Sequence, residues 1–219
     1  MVEVANPITH LLQAVDRADS ADALLDAVEA LAEARSNAAI PTLIEVLGYN
    51  NPGAAVAAVD GLIALGSVAV PAILEQLDGY NYGARAWATR ALAGIGDLRA
   101  LELLLSAAMG DFSLSVRRAA ARGLGNLQWQ QLPVEKRPAG QTKVLETLVQ
   151  VTEDAEWVVR YAAIAGLQSL LSALDNSPPL NRSSAIARLQ QLALSDPVLV
   201  VRARSQLALQ RLPESDCDC

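Results

Sequence analysis

Aromatic side chains are scarce in this chain, at 4% of 219 residues, and histidine is scarcer still, with His10 alone. One histidine excludes most His-based metal sites and Ser-His-Asp triads. Cysteine is confined to Cys217 and Cys219 in the last three positions, so no disulfide framework is available and a reducing compartment is expected. Positive charge is also in deficit. The formal net charge is −7, which argues against nucleic acid as a partner, because phosphate backbones are met by basic faces. The opening MVEVANPITH has neither a basic nor an apolar segment, so no signal peptide is expected. A long hydrophobic run is lacking too. Ala54–Leu74 comes nearest, but Asp60, Gly61, Gly66 and Pro71 interrupt it, and no membrane insertion is expected. The chain reads as cytoplasmic. There is no GxxxxGK phosphate loop and no GxGxxG turn. Two thiols in Cys217-x-Cys219 do not complete a zinc site, and no metal is expected.

What the chain has in abundance is small and branched aliphatic residues: 52% of it is hydrophobic. Such a composition suits closely packed helices, and the residues repeat. Val116–Leu124 (VRRAAARGL) and Val159–Leu167 (VRYAAIAGL) align without gaps, and Ala84–Leu92, Val201–Leu209 and Ala54–Leu62 fit the same frame. The closing leucines Leu62, Leu92, Leu124, Leu167 and Leu209 are 30, 32, 43 and 42 residues apart. An apolar helix precedes each frame, as in Ile40–Leu47 and Val70–Leu77, with Pro41 and Pro71 in first turns where no N–H is needed. The pattern predicts an all-α fold, an α-solenoid of about a dozen short helices stabilised by stacking. A cap repeat is expected over 8–36 and further repeats over 37–66, 67–96, 97–126, 141–170 and 181–212, as one solenoid domain. The acidic tail 213–219 is expected to be disordered. Two longer connections, Leu127–Lys143 and Leu171–Ser184, account for the longer periods, and Pro133, Pro138, Pro178 and Pro179 predict that they are not helical.

Arg85, Arg117, Arg160 and Arg202 share one frame position. An Asp precedes three of them by six residues (Asp111, Asp154, Asp196), and Asp78 precedes Arg85 by seven. This pairing resembles HEAT repeats, where Asp and Arg form a ladder between neighbouring repeats. Arg90 and Arg122 sit one helical turn further along, and Arg118 adjoins Arg117, so positive charge gathers in the middle repeats. Such a cluster serves either as solubilising surface or as a seat for carboxylates. Tyr49, Tyr80, Tyr82, Trp87 and Phe112 are expected in or just after turns, and the turns Gly48–Gly53 (GYNNPG) and Asp78–Gly83 (DGYNYG) are near copies. Tyrosines between Gly and Asn offer flat faces and hydroxyls to a ligand, or else pack over the solenoid edge. Trp129 and Trp157 read as core or interface.

The segments GYNNPGAAVAAVDGLIALG, DGYNYGARAWATRALAGIGD and SVRRAAARGLGNLQW resemble the HEAT-like repeats of phycobilisome lyases, in particular the beta-subunit branch of the E/F-type phycocyanobilin lyases. The resemblance runs from about Ile8 to Leu212. It implies a heterodimer with the E (alpha) subunit that attaches phycocyanobilin, as substrate and not cofactor, by a thioether to a cysteine of the phycocyanin alpha subunit. The His-Cys motif of the related lyase-isomerases is absent. The other implied role is non-catalytic docking of phycobiliprotein, as in phycobilisome degradation. On the lyase reading, Tyr49, Asn50, Tyr80, Tyr82, Arg85, Trp87, Arg90, Arg117 and Arg118 are candidates for the bilin or partner surface. Asp78 is the candidate proton donor to the pigment.

Overall fold

The computed structural model describes residues 7–76, 82–174 and 182–212. Asp78, Tyr80 and the tail 213–219 lie outside them, as do Pro178 and Pro179. Among the described residues there are twelve α-helices and no strand. The all-α, HEAT-like repeat architecture is therefore as the periodicity predicts. The chain divides into two compact units, Met1–Ala100 and Leu101–Cys219.

The first unit contains α1 (Pro7–Arg17), α2 (Ala21–Glu33), α3 (Ile40–Val46), α4 (Pro52–Leu65), α5 (Val70–Glu75) and α6 (Tyr82–Ile95). The second helices α2, α4 and α6 stack in order, and α3 lies against α5. Their starts are chemically marked. Ser20 caps α2 by accepting from Ala23 N–H at 3.2 Å. Asn51 caps α4 by accepting from Ala54 N–H at 3.1 Å, while its own amide donates to the Ala21 carbonyl at 2.9 Å. One side chain thus closes a helix end and ties neighbouring repeats. Pro41, Pro52 and Pro71 occupy first-turn positions. Gly66 and Gly96, with φ of 72° and 70°, end α4 and α6 in the left-handed region where a Cβ is costly. Beyond α6, Asp97 receives the Arg99 guanidinium at 2.7 Å, and Arg99 also donates to the Ser67 carbonyl one repeat back.

The second unit contains α7 (Leu101–Gly110), α8 (Leu114–Leu124), α9 (Arg137–Val151), α10 (Trp157–Ala173), α11 (Arg182–Ser195) and α12 (Leu199–Arg211). Here α8, α10 and α12 stack, and α9 contacts both α7 and α11. The frame alanines and leucines form the core: Val116, Ala120, Ala121 and Leu124 are buried, as are Val159, Ala163, Ile164 and Leu167. Small residues let α8 and α10 approach backbone to backbone. A Cβ on Gly166 would collide with the Ala121 carbonyl oxygen, and one on Gly125 with the backbone of Gly166.

The connections are shorter than the prolines suggest. Pro138 falls in the first turn of α9, so the helix starts at Arg137 instead of beyond Lys143. The preceding stretch folds back in two 3-10 turns, with Leu127 and Trp129 buried. A Cβ on Gly140 of α9 would sit 2.8 Å from the Trp129 ring, so the indole packs flush on that helix. Arg137 closes the loop by donating to the Leu132 carbonyl at 2.8 Å. At the second connection α10 runs on to Ala173 and α11 begins at Arg182, which places Leu171–Ala173 and Arg182–Ser184 in helices.

Candidate functional site

The arginine column resolves into rungs. Arg117 donates through Nε and Nη2 to the Asp154 carboxylate, at 2.7 and 3.2 Å. Its Nη1 donates to the carbonyls of Asp111 and Phe112, at 2.8 and 3.2 Å. One repeat on, Arg160 grips the Asp196 carboxylate at 2.8 and 3.0 Å and the carbonyls of Asp154 and Ala155 at 3.0 Å each. Arg202 donates to the Asp196 carbonyl at 2.7 Å. Arg117 and Arg160 thus each bind the turn carbonyls of their own repeat and the carboxylate of the next, and Arg202 binds a turn carbonyl of its own repeat. Each carboxylate also braces the turn before its own second helix, Asp154 accepting from Glu156 N–H and Asp196 from Val198 N–H, both at 2.8 Å. Burial pushes the Asp154 and Asp196 carboxyls up. The hydrogen bonds from Arg117 and Arg160, the backbone N–H groups of Glu156 and Val198 and the nearby guanidinium charges outweigh it and hold both below the usual carboxylate range. Arg117 is thereby engaged as a structural rung.

The other candidates fall into separate places. Tyr49 follows α3, is 37% exposed, and donates its hydroxyl to Glu45 at 3.0 Å. Burial, then the hydrogen bond and charge of Glu45, raise its phenol. Asn50 is exposed beside it, and the capping amide of that turn is Asn51. Tyr82 opens α6. Trp87 lies half-buried in the early part of α6, and the exposed Arg90 stacks over its ring with the guanidinium carbon 5.4 Å from the centroid. Arg85 is half-buried on the same helix. Arg118 and Arg122 are exposed on α8, and neither forms an ion pair among the described residues.

Two groupings escape sequence reasoning. Leu114, Trp157 and Leu199 hold one frame position, each in the first turn of its helix, and are 42%, 43% and 69% exposed. Phe112, in the turn before α8, is exposed as well. Meanwhile α10 and α12 bring Tyr161 and Arg204 together, the guanidinium carbon lying 5.8 Å from the ring centroid. The signal for the second lay in the alignment, where Tyr161 stands at the position of Ala86 and Ala203, and Arg204 at that of Ala119 and Ala162. Among the described residues no group of three His, Cys, Asp or Glu could hold a metal ion, and no helix is long and apolar enough to cross a membrane.

Paired helices with Arg–Asp rungs between repeats define a HEAT-like repeat protein. Residues 70–168 match the family model of HEAT repeats, and residues 20–49 match the PBS lyase HEAT-like repeat. The chain is 63% identical over 167 residues to the phycocyanin alpha phycocyanobilin lyase CpcF of Synechocystis sp. (strain ATCC 27184 / PCC 6803 / Kazusa), covering 76% of this chain and 78% of that one. It is 50% identical to a phycocyanobilin lyase subunit beta of Nostoc sp. (strain PCC 7120 / SAG 25.82 / UTEX 2576), over 91% of this chain and 97% of the relative. A solved complex of CpcE and CpcF of phycocyanin lyase from Nostoc sp. PCC7120 contains a chain 52% identical to this one. That match has a TM-score of 0.71 and covers 79% of this chain and 99% of the other. The chain belongs to the phycocyanobilin lyase beta-subunit family.

Proposed function

We propose that the chain is one subunit of a heterodimeric bilin lyase, which with an E-type (alpha) subunit attaches phycocyanobilin to a cysteine of the phycocyanin alpha subunit. The observation that carries this reading is the match to CpcF in both sequence and fold, with most of each chain covered. The reaction is an addition. The acceptor's sulfur bonds to the ethylidene carbon on ring A of the bilin, a proton is delivered to the pigment, and nothing leaves. It needs neither oxidant nor metal from this chain, and the nucleophile belongs to the acceptor. The lyase holds the flexible tetrapyrrole extended and presents one face to the thiol, so its contribution is mainly positioning.

Within this chain, Tyr49, Asn50, Tyr80, Tyr82, Arg85, Trp87 and Arg90 are proposed as a bilin or partner surface of the first unit, and Arg118 as a candidate of the second. Asp78 is proposed as the proton donor. The Arg90–Trp87 stack supports this, because it keeps a cation and an aromatic face together at a solvent boundary. Arg117 belongs to the reading only through the rung that fixes α8 beneath Arg118. The exposed row Leu114, Trp157 and Leu199 is of the kind that a protein partner covers, and it supports action as a heterodimer. The cytoplasm of a cyanobacterium is the proposed setting.

The test is co-expression with an E subunit, the phycocyanin alpha subunit and a phycocyanobilin source, read by absorbance and zinc-induced fluorescence of the adduct. Native-type adduct should require both lyase subunits. Equal adduct without this chain would sink the reading in favour of non-catalytic docking of phycobiliprotein. Asp78→Asn should slow attachment while leaving heterodimer formation intact.

A further inference from the structure

Arg204 is the one guanidinium in the second unit with a buried nitrogen, Nη1, that finds no hydrogen-bond partner among the described residues. Leaving a buried charged donor unmatched is costly. The contrast with its neighbours is direct, because Arg117 and Arg160 each have a carboxylate and two carbonyls. What faces Arg204 instead is the ring of Tyr161 on one side and the like charges of Arg122 and Arg211. Burial pushes the guanidinium below its ordinary value; the Tyr161 hydroxyl works against this, and the charges of Arg211 and Arg122 add to it. Arg204 on α12 thus lies over an aromatic face on α10, and the charges of Arg211 and of Arg122 on α8 act on it, in a protein whose net charge is −7. Among the described residues none of these three arginines has an ion-pair partner.

We propose that Arg204, with Arg122 and Tyr161, forms a subsite for a carboxylate attached to a flat conjugated group: on the lyase reading above, on which this inference rests, a propionate of the bilin. The planar guanidinium matches a carboxylate through two parallel N–H bonds. The Tyr161 ring beside it offers a face to a pyrrole. A polyanion is the poorer fit, since the cluster is small and the surrounding charge is negative. The row is also continuous with Arg118, which occupies on α8 the frame position that Tyr161 has on α10.

The experiment uses the heterodimer and two pigments, phycocyanobilin and its propionate dimethyl ester, titrated by absorbance and fluorescence. Wild-type complex should bind the free acid about tenfold or more tightly than the ester, the scale of a charge-assisted hydrogen bond. Arg204→Gln should weaken the free acid by about that factor and leave the ester unchanged, so that discrimination collapses, and Arg204→Lys should restore part of it. If Arg204→Gln weakens both pigments equally, or neither, the subsite is refuted while the lyase reading stands. If it instead weakens association with the E subunit and leaves pigment binding intact, the carboxylate belongs to the partner protein and the proposal is overturned. A wild-type complex that neither binds nor attaches the bilin would overturn the lyase reading itself. Circular dichroism of each variant separates these outcomes from misfolding.

Discussion

Asp196→Asn is the sharpest probe of the ladder. The Arg160 and Asp196 side chains are 10% and 2% exposed and share two hydrogen bonds. The substitution keeps an oxygen for the Val198 N–H and for one arginine N–H, but removes the charge that compensates the guanidinium. Arg160 retains the carbonyls of Asp154 and Ala155, which satisfy donors without neutralising them. Breaking one side of a buried pair costs about 3–5 kcal/mol. With the shape preserved, the lower end applies, about 3 kcal/mol. In urea, with a slope near 2 kcal/mol/M, the midpoint should fall by about 1.5 M. Glu102→Gln is the control, because its pair with Lys143 is 75% and 54% exposed. That change should stay within about 0.5 kcal/mol. Equal effects for the two variants, or less than about 1 kcal/mol for Asp196→Asn, would refute the ladder as a source of stability.

Acid should undo the same rungs. Asp97, Asp154 and Asp196 are all held below their ordinary values, so between the folded and unfolded pKa the unfolded chain binds more protons. Their contribution is therefore present above about pH 4 and lost as pH falls through the folded pKa, and a Tm-against-pH curve should flatten in that range in the Asp154→Asn/Asp196→Asn double variant. Gly166→Ala should destabilise by about 2 kcal/mol in a thermal melt, because its Cβ meets the rigid Ala121 carbonyl and not a side chain that can move. Trp157→Ala, at an exposed position, should leave the melt of the isolated chain within about 0.5 kcal/mol. The same variant should reduce co-elution with the E subunit in gel filtration; unchanged co-elution would remove the apolar row from the partner surface.

Much of this was legible because a repeat protein writes its fold several times. The frame from Val116 to Leu124 recurs at Ala54–Leu62 and Val159–Leu167 with the same positions buried, and first-turn prolines mark where helices begin. Pro138 misled for a physical reason. A proline breaks a helix interior but is at home in a first turn, and only the burial of Trp129 against Gly140 reveals which case holds. The rungs were half legible. A spacing of six residues correctly joins Arg117 to Asp111, but through the aspartate's carbonyl, while its carboxylate partner is Asp154, 37 residues on. An aspartate bracing the turn before its own helix also turns its carboxylate toward the preceding repeat, which no local spacing encodes. Arg204 and Tyr161 were hidden by the same averaging that exposed the fold, since alignment rewards what recurs.

That distinction sorts the arginines by what each can still do. In the frame, the position after the first valine is spent on rungs, where Arg117 and Arg160 have their strong donors matched by oxygen. Arg118, next to the rung, and Arg122, a turn further along the same helix, face solvent, and Arg204 has a donor buried beside an aromatic ring. A neutral replacement at a rung should therefore lower stability, and with it every activity together. A neutral replacement at Arg204 should leave stability nearly unchanged and alter only what binds. Measuring melting temperature and pigment affinity on the same set, Arg117→Gln, Arg160→Gln, Arg118→Gln and Arg204→Gln, tests this directly. The reasoning requires the first two to move the melt and the last to move affinity. If Arg204→Gln destabilised the chain as much as Arg160→Gln, its buried donor would be part of the scaffold and the division would fail.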